Sequence, residues 1–567
     1  MITWRHYSIV IVFGCCVVAL CGRVGYLAVT QKDFLQEQGD ARSVRAVSIP
    51  AMRGMVVDRH GEALAVSTPV FGVWTDPTRA KFEPAQLTAL AQSLEIDPES
   101  LEQKLQHNVG REFLYLRRQV DWDTAEAIRQ LQLPYVYTEL EYRRYYPAAE
   151  TAAHVVGVTD IDDGGIEGVE KSSNAALKGS HGRKVVLKDR LGNTVKELEY
   201  QAVPVFGDDV QLSIDLRLQF AAYRELKSAV ASHKAKSASL VILDVKSGEI
   251  LALVNQPSYN PNDVLKSAAA MRNRAITDTY EPGSTIKPFT VLAALESGEF
   301  HANSSIDTSP GFFKVGNKLI QDPSNRGVLD MAEILQTSSQ VGVAKIALAL
   351  QEEAVFDVLR RAGLGDPVNI ALPGEVAGYV SAEQLRYPIV RTSLSFGYGL
   401  SVTPLQLARA YLALASGGNT KELTLVKQPG LRVAADADSG QRVFNADQVR
   451  QVIAMMEGVT GPDGTAPGAA IPGYRVAGKT GTARKVGPQG YDDERHVAWF
   501  AGLAPVSDPR VVVVVLVNEP KAGLSGGGAV AAPVFSRVAS RALRLLGARP
   551  DQQVAQSRDG QMPGYHG

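Results

Sequence analysis

From His6 to Gly22 the chain carries no formally charged residue, and Arg5 and Arg23 bound this apolar run. Arg23 can snorkel to an interface while Val24 to Val29 continue the apolar character, so the pattern predicts one transmembrane helix over Tyr7 to Val29. A cleaved signal peptide would need a small-residue cleavage site after the run, and a lipid-modified cysteine would need a small residue where Leu20 precedes Cys21. Arg5 and the terminal amine favour a cytoplasmic N-terminus, countered in part by Arg23. A polar, helical stalk is expected from Gln31 to Arg45.

Beyond the stalk the periodicity alternates. Apolar pieces flank Asp58 to Gly61 within Arg53 to Ala65, which reads as strand, turn and strand. Ala80 to Leu133 mixes helical patterns, such as Gln86 to Leu94, with charged connections, as in a small insert. Arg143 to Pro147, His154 to Gly157 and Gly165 to Glu170 gather glycines, charges and a proline. Arg143, Glu167 and Glu170 could supply an acid and a base, yet charges spaced through strands and turns are more often structural pairs.

Near Gly207 the character changes. Asp209 to Asp215 alternates as a strand, and Leu216 to Val230 is an amphipathic helix with Phe220 and Leu226 among its apolar positions. Ser239 to Val254 holds two apolar runs joined by Lys246 to Glu249, a hairpin with a buried face. Val497 to Ala504, the valine run Val511 to Val515 leading to Asn518, and a helix from Ala532 to Leu546 mirror it at the far end. A sheet assembled from both ends, with a helical block between, is an α+β arrangement. The polar, glycine-rich tail beyond Gly547 is expected to be disordered.

Composition narrows the function classes. A chain of 567 residues predicts more than one domain, and a formal net charge of -1 argues against nucleic-acid binding. All three cysteines (Cys15, Cys16, Cys21) lie in the apolar run, so the remainder offers no disulfide framework and no cysteine metal site, which suits an oxidising compartment. The histidines are scattered without a His-x-x-x-His pair, and Gly526 to Gly528 lacks the lysine of a phosphate loop. No catalytic metal and no cofactor are expected.

The stretch Glu281-Pro-Gly-Ser-Thr-Ile-Lys-Pro-Phe289 carries the chemistry. Ser284 and Lys287 are three apart, so on a helix they share a face and the amine can reach the hydroxyl. A serine must lose its proton as it attacks, and a lysine accepts it only when neutral, which requires its pKa to fall from about 10.4 to roughly 7 or 8 through burial and a nearby cation. Pro282, Gly283 and Pro288 fit a tight entry into a helix, whose N-terminus favours developing negative charge. Ser-x-x-Lys alone is weak, since it arises by chance in a chain this long. Two further motifs strengthen it: Ser338-Ser339-Gln340, read as a turn between helices, and Lys479-Thr480-Gly481-Thr482, read as a strand in which Gly481 lets a ligand approach the backbone.

In this set of motifs the chain resembles the penicillin-binding proteins, whose signatures are S-x-x-K, S-x-N and K-T-G. Arg53 to Ala65 and Arg143 to Glu170 look like the N-terminal motifs of the class B enzymes. Ser395 to Gln406 and Gly478 to Val486 look like those of the cell-division (septal) type. One position departs, since Gln340 stands where the family has asparagine.

The resemblance implies a membrane anchor over residues 1–30, an elongated pedestal (dimerisation-like) domain over 31–206, a transpeptidase domain over 207–547 and a tail over 548–567. The transpeptidase fold would be serine β-lactamase-like, an antiparallel sheet with helices on both faces and a helical subdomain. It implies a peptidoglycan D,D-transpeptidase in which Ser284 attacks, Lys287 is the base, Ser338 relays a proton and Lys479 depresses the pKa of Lys287. Gln340, Thr480, Gly481 and Thr482 would bind substrate, and the amides of Ser284 and Thr482 would form the oxyanion hole. Implied partners are peptidoglycan stem peptides, β-lactams, the membrane and division proteins including a glycosyltransferase, with the catalytic domain in the periplasm and a single pass through the inner membrane. A β-lactamase or β-lactam sensor, distinguished by rapid deacylation, and a catalytically weak division scaffold, for which Gln340 argues, are the competing readings.

Overall fold

The computed structural model describes residues 2–189, 194–263, 270–427, 440–487 and 490–552. The chain folds as two compact units, one of Met1–Gly54, Ser67–Arg143 and Lys178–Asp208, the other of Met55–Val66, Arg144–Leu177 and Asp209–Gly567. Residues 55–66 and 144–177, two motif-bearing segments of the expected pedestal, belong to the second unit.

The first unit opens with helix Ile2–Val29, long and apolar enough to cross a membrane and with no buried side chain in that span. Helix Lys32–Ser43 follows and leads into strand Val44–Ile49, which pairs antiparallel with Gly182–Lys188; that strand pairs in turn with Thr194–Ala202. The insert holds helices Pro84–Ser93, Pro98–Gln106 and Trp122–Gln130, the last two started by carboxylate caps: Asp97 accepts from Ser100 N at 2.9 Å and Asp121 from Thr124 N at 2.8 Å. Leu90, Leu94, Leu101, Leu116 and Ile128 form its core.

The second unit is built on five antiparallel strands: β1 (Ser237–Asp244), β2 (Ile250–Gln256), β3 (Ala477–Gly487), β4 (Gly490–Ala504) and β5 (Val511–Asn518), in the order β2-β1-β5-β4-β3. Helices α1 (Leu216–Ser232), α2 (Lys287–Ser297), α3 (Met331–Gln336), α4 (Gln340–Ala349), α5 (Pro404–Ala415) and α6 (Ala532–Leu545) supply the layers and the helical block. Val511, Val513, Val515 and Val517 share a core with Leu226 of α1 and Phe535 of α6, whereas Val512, Val514 and Leu516 share one with Phe289 of α2 and Leu412 of α5. The uninterrupted valine run is therefore the signature of a strand covered on both faces, each valine contributing roughly 1.5–3 kcal/mol. β3, which carries Lys479, is the edge of this sheet.

Three expectations change. The strand expected over Asp209 to Asp215 is only Val210–Gln211, because Asp215 already caps α1, accepting from Arg217 N at 3.0 Å. Phe220 is 54% exposed: α1 buries Leu218, Ala222, Leu226 and Ala229, and a residue two positions from Leu218 falls on the opposite side of the helix. The tail expected to be disordered from 548 is tied down as far as Asp551, whose carboxylate accepts from Arg475 N at 2.7 Å and Ser507 N at 3.0 Å; residues 553–567 lie outside the described residues.

The turns at Asp58 and near Arg143 are structural supports. The Asp58 carboxylate gathers His60 N (2.7 Å), Glu62 N (2.9 Å) and Leu216 N (3.0 Å), closing the strand-turn-strand onto the start of α1. Arg144, the neighbour of Arg143, pairs with Glu170 at 2.6 Å, both buried, as a structural ion pair rather than an acid and base.

Candidate active site

Ser284 lies in a 3-10 turn, Gly283–Ile286, that runs directly into α2. Lys287 and Pro288 open α2, where a proline costs no internal hydrogen bond. The turn is clamped from several sides. Gly283 N donates to Gly397 O at 3.0 Å, and Tyr411 OH of α5 donates to Thr285 O at 2.8 Å. A side chain at Gly397, where φ is +84°, would place its Cβ 2.0 Å from Gly283 O. Ser284 itself is half-buried, while Lys287 is fully buried.

The Lys287 amine is directed toward the second motif. Its Nζ donates to Ser338 O at 2.5 Å and to Ser338 Oγ at 3.1 Å, rather than to Ser284. Lys479 Nζ, also fully buried, donates to the same hydroxyl at 2.9 Å. Ser338 occupies the left-handed region, φ +59°, in the turn between α3 and α4, and that conformation aims both its carbonyl and its hydroxyl at the amines.

Desolvation brings the Lys287 pKa down to about 7, with the Asp322 carboxylate opposing the fall. Burial, and then the charge of Lys287, pushes Lys479 well below the ordinary lysine range. Burial, one of the two causes expected, leads at both lysines, and the repulsion between the two amines appears at Lys479. Two amines on one hydroxyl in a dry site do not both carry a proton cheaply, and the result is a neutral amine near pH 7.

Asp322 orders the second motif. Its carboxylate accepts from Ser339 Oγ and Gln340 N, both at 2.5 Å, and from Val341 N at 3.2 Å, at the N-terminus of α4 where a negative charge is favoured. Gln340, the first residue of α4, lines a cleft of about 960 Å³ together with Thr482, Tyr398, Arg484, Tyr491 and His496. On β3, Thr480 and Thr482 share a face. Thr480 Oγ1 lies 3.1 Å from Thr465 Oγ1 and 3.3 Å from Lys479 Nζ, and Thr482 is exposed, its Oγ1 accepting from Gly527 N at 3.2 Å.

Residues 238–540 match the model of the penicillin binding protein transpeptidase domain, and residues 48–212 that of the penicillin-binding protein dimerisation domain. The chain belongs to the penicillin-binding protein transpeptidase family. It is 43% identical over 560 residues to the peptidoglycan D,D-transpeptidase FtsI of Escherichia coli K12, covering 97% of this chain and 93% of that protein. A penicillin-binding protein 3 transpeptidase-domain structure from Burkholderia pseudomallei is 39% identical, with TM-score 0.54, covering 60% of this chain and 98% of the other. Penicillin-binding protein 3 of Mycobacterium tuberculosis, complexed with aztreonam, is 26% identical with TM-score 0.68, covering 89% and 98%.

In this member of the penicillin-binding protein family the three motifs meet around Ser338 and the turn of Ser284. A Cβ at Gly481 would sit 2.6 Å from Pro282 O and 2.9 Å from Thr285 Cγ2, so its missing side chain lets β3 pack onto the Ser284 turn. Sequence reasoning missed Asp322, Glu281, Gly397 and Tyr411, which hold the motifs in place. Of these, Glu281 and Gly397 had a local signal, their places in the Glu281 to Phe289 and Ser395 to Gln406 stretches.

Proposed function

We propose that this protein is a peptidoglycan D,D-transpeptidase of the cell-division type, with Ser284 as the acylated nucleophile. The observation that carries the reading is the pair of buried amines, Lys287 and Lys479, on the Ser338 hydroxyl beside the Ser284 turn. In this reading Ser284 Oγ bonds to the carbonyl carbon of the penultimate D-Ala and its proton passes to neutral Lys287. Collapse of the tetrahedral intermediate breaks the C–N bond, and the terminal D-Ala leaves with a proton relayed through Ser338. Thr480 and Thr482 hold the substrate carboxylate, Gln340 faces the donor peptide, and the amides of Ser284 and Thr482 stabilise the oxyanion. An amine of a second stem peptide then attacks the ester and regenerates Ser284. A β-lactam acylates the same hydroxyl, and its opened ring stays attached, leaving the enzyme blocked.

The N-terminal helix serves as a single-pass anchor, supported by its length and exposed apolar surface. Everything from Gln31 onward lies in the periplasm, with a pedestal domain over 31–206 and a transpeptidase domain over 207–547, and division proteins including a glycosyltransferase are the partners. Labelling with fluorescent penicillin followed by mass spectrometry tests the core of the reading. The adduct is expected on Ser284, and Ser284→Ala should lose the label with its thermal midpoint shifted by no more than about 4 °C. Label persisting in that variant would sink the assignment.

A further inference from the structure

Glu281 stands ahead of Ser284 in the same segment and has no part in the chemistry above. Its Oε1 accepts from Gly399 N and from Tyr491 OH, both at 2.9 Å, and its carbonyl oxygen accepts from Trp499 Nε1 at 3.1 Å. Three separate pieces of chain therefore meet on one residue: the nucleophile turn, the 396–399 loop, and the β3–β4 pair with Tyr491 and Trp499. The other carboxylate oxygen, Oε2, is buried without a hydrogen-bond partner among the described residues.

The partners of Glu281 form a wall of the cleft. Tyr398 packs edge-on against Tyr491 at 5.5 Å and against Phe396 at 5.7 Å, and all three line the cleft that Gln340 and Thr482 also line. Behind Glu281 is a second cavity of about 770 Å³, and Arg484 borders both. The Glu281 carboxylate thereby joins this wall to the Ser284 turn through two accepted hydrogen bonds on one oxygen, a tie that any acceptor oxygen at the same place would keep.

We infer that Glu281 is a positioning residue that latches the Tyr398–Tyr491 wall to the turn carrying Ser284, so that shaping the cleft around an acyl donor and aligning the nucleophile are one event. The inference rests on the transpeptidase reading. The latch acts through Ser284 and touches neither the reacting carbonyl nor the leaving group.

The test uses the full-length protein, hydrogen exchange at the Gly399 amide and residues 491–496, and stopped-flow acylation by benzylpenicillin that separates Kd from the first-order constant k2. Glu281→Ala should speed exchange at both places and lower k2 about tenfold, since small displacements of a reacting group forfeit orientation. Glu281→Gln, which keeps an acceptor oxygen, should recover most of k2. Tyr491→Phe should act in the same direction as Glu281→Ala, and the double variant should be no worse than Glu281→Ala alone, because both remove one interaction. Additive losses, unchanged exchange at Gly399, or an unchanged k2 would each overturn the inference. Should Glu281→Ala fail to fold, Tyr491→Phe alone decides on the same two readouts. An absence of any adduct on Ser284 in the unmodified protein would refute the transpeptidase reading, while the exchange data would still report on the latch.

Discussion

Lys287 Nζ lies 3.1 Å from Ser338 Oγ and 2.5 Å from Ser338 O, so the proposed base is held by a turn between two other helices and not by the proposed nucleophile, Ser284. Its pKa, brought to about 7 by burial, sets the pH at which it can accept a proton. Below that value the amine is an ammonium and inert as a base; above it the amine is free. Penicillin acylation should therefore rise with pH along a limb centred near 7, measured by stopped-flow under single-turnover conditions, and Lys287→Arg, which stays charged, should be inactive across the range. A flat profile from about pH 5 to 9 would remove Lys287 from the role of base.

Asp322 raises the Lys287 pKa through its charge while tying down Ser339 and Gln340. Asp322→Asn takes away the charge and keeps an acceptor oxygen. The acylation limb should move to lower pH, since the ammonium of Lys287 loses a stabilising neighbour, and k2 on the plateau should fall about threefold to tenfold as the second motif loosens. A limb that stays in place or moves up would show that this carboxylate does not act on the base.

Gln340 keeps the donor and acceptor of an asparagine but carries one more methylene, and it faces the cleft beside Thr482. Folding that longer side chain back costs up to about 2 kcal/mol of rotamer entropy, which falls on ligands whose acyl amide must be gripped. Gln340→Asn should change acylation rates unequally across penicillins and cephalosporins with different side chains. Identical ratios for both forms over such a panel would mean that the amide does not read the ligand.

Gly397→Ala meets two obstacles, the positive φ of +84° and a Cβ placed 2.0 Å from Gly283 O. The variant should lose about 1–3 kcal/mol of stability from backbone strain alone, and its penicillin labelling should slow because the Ser284 turn is displaced. Thermal midpoint and labelling rate measured together check this; a wild-type labelling rate would show that the clamp on Gly283 is dispensable.

The motifs around Ser284, Ser338 and Lys479 were legible because the chemistry demands particular residue types at short, fixed spacings. Asp322 was not, since a single carboxylate in a loop has no spacing to read, and Glu281, although three residues ahead of Ser284, gains a role only from what folds against it. Periodicity gave away α1, the β1–β2 hairpin and the valine strand β5, whose burial is one-sided or complete. Strand Thr194–Ala202 went unread although Leu198, Tyr200 and Ala202 alternate with polar residues, and its full exposure means that this short alternation marks no buried face. At Gly481 the sequence marks a close approach to the backbone without naming what approaches, and the Ser284 turn is one group that does.

The order of strands in the catalytic sheet also bears on when the enzyme can exist during synthesis. β5 is wedged between β1 and β4, and Arg510 beside it bonds to Asp244 of β1 across 266 residues of chain. Contacts of such long range form late, once the intervening segment has been made. A growing or prematurely terminated chain that has reached Ser284 and Lys287 still lacks Lys479 and the strands that exclude water from the site. In such a chain Lys287 is hydrated, keeps its ordinary charge and cannot activate the serine. In the proposed mechanism, acylation of Ser284 is in this way tied to completion of the sheet.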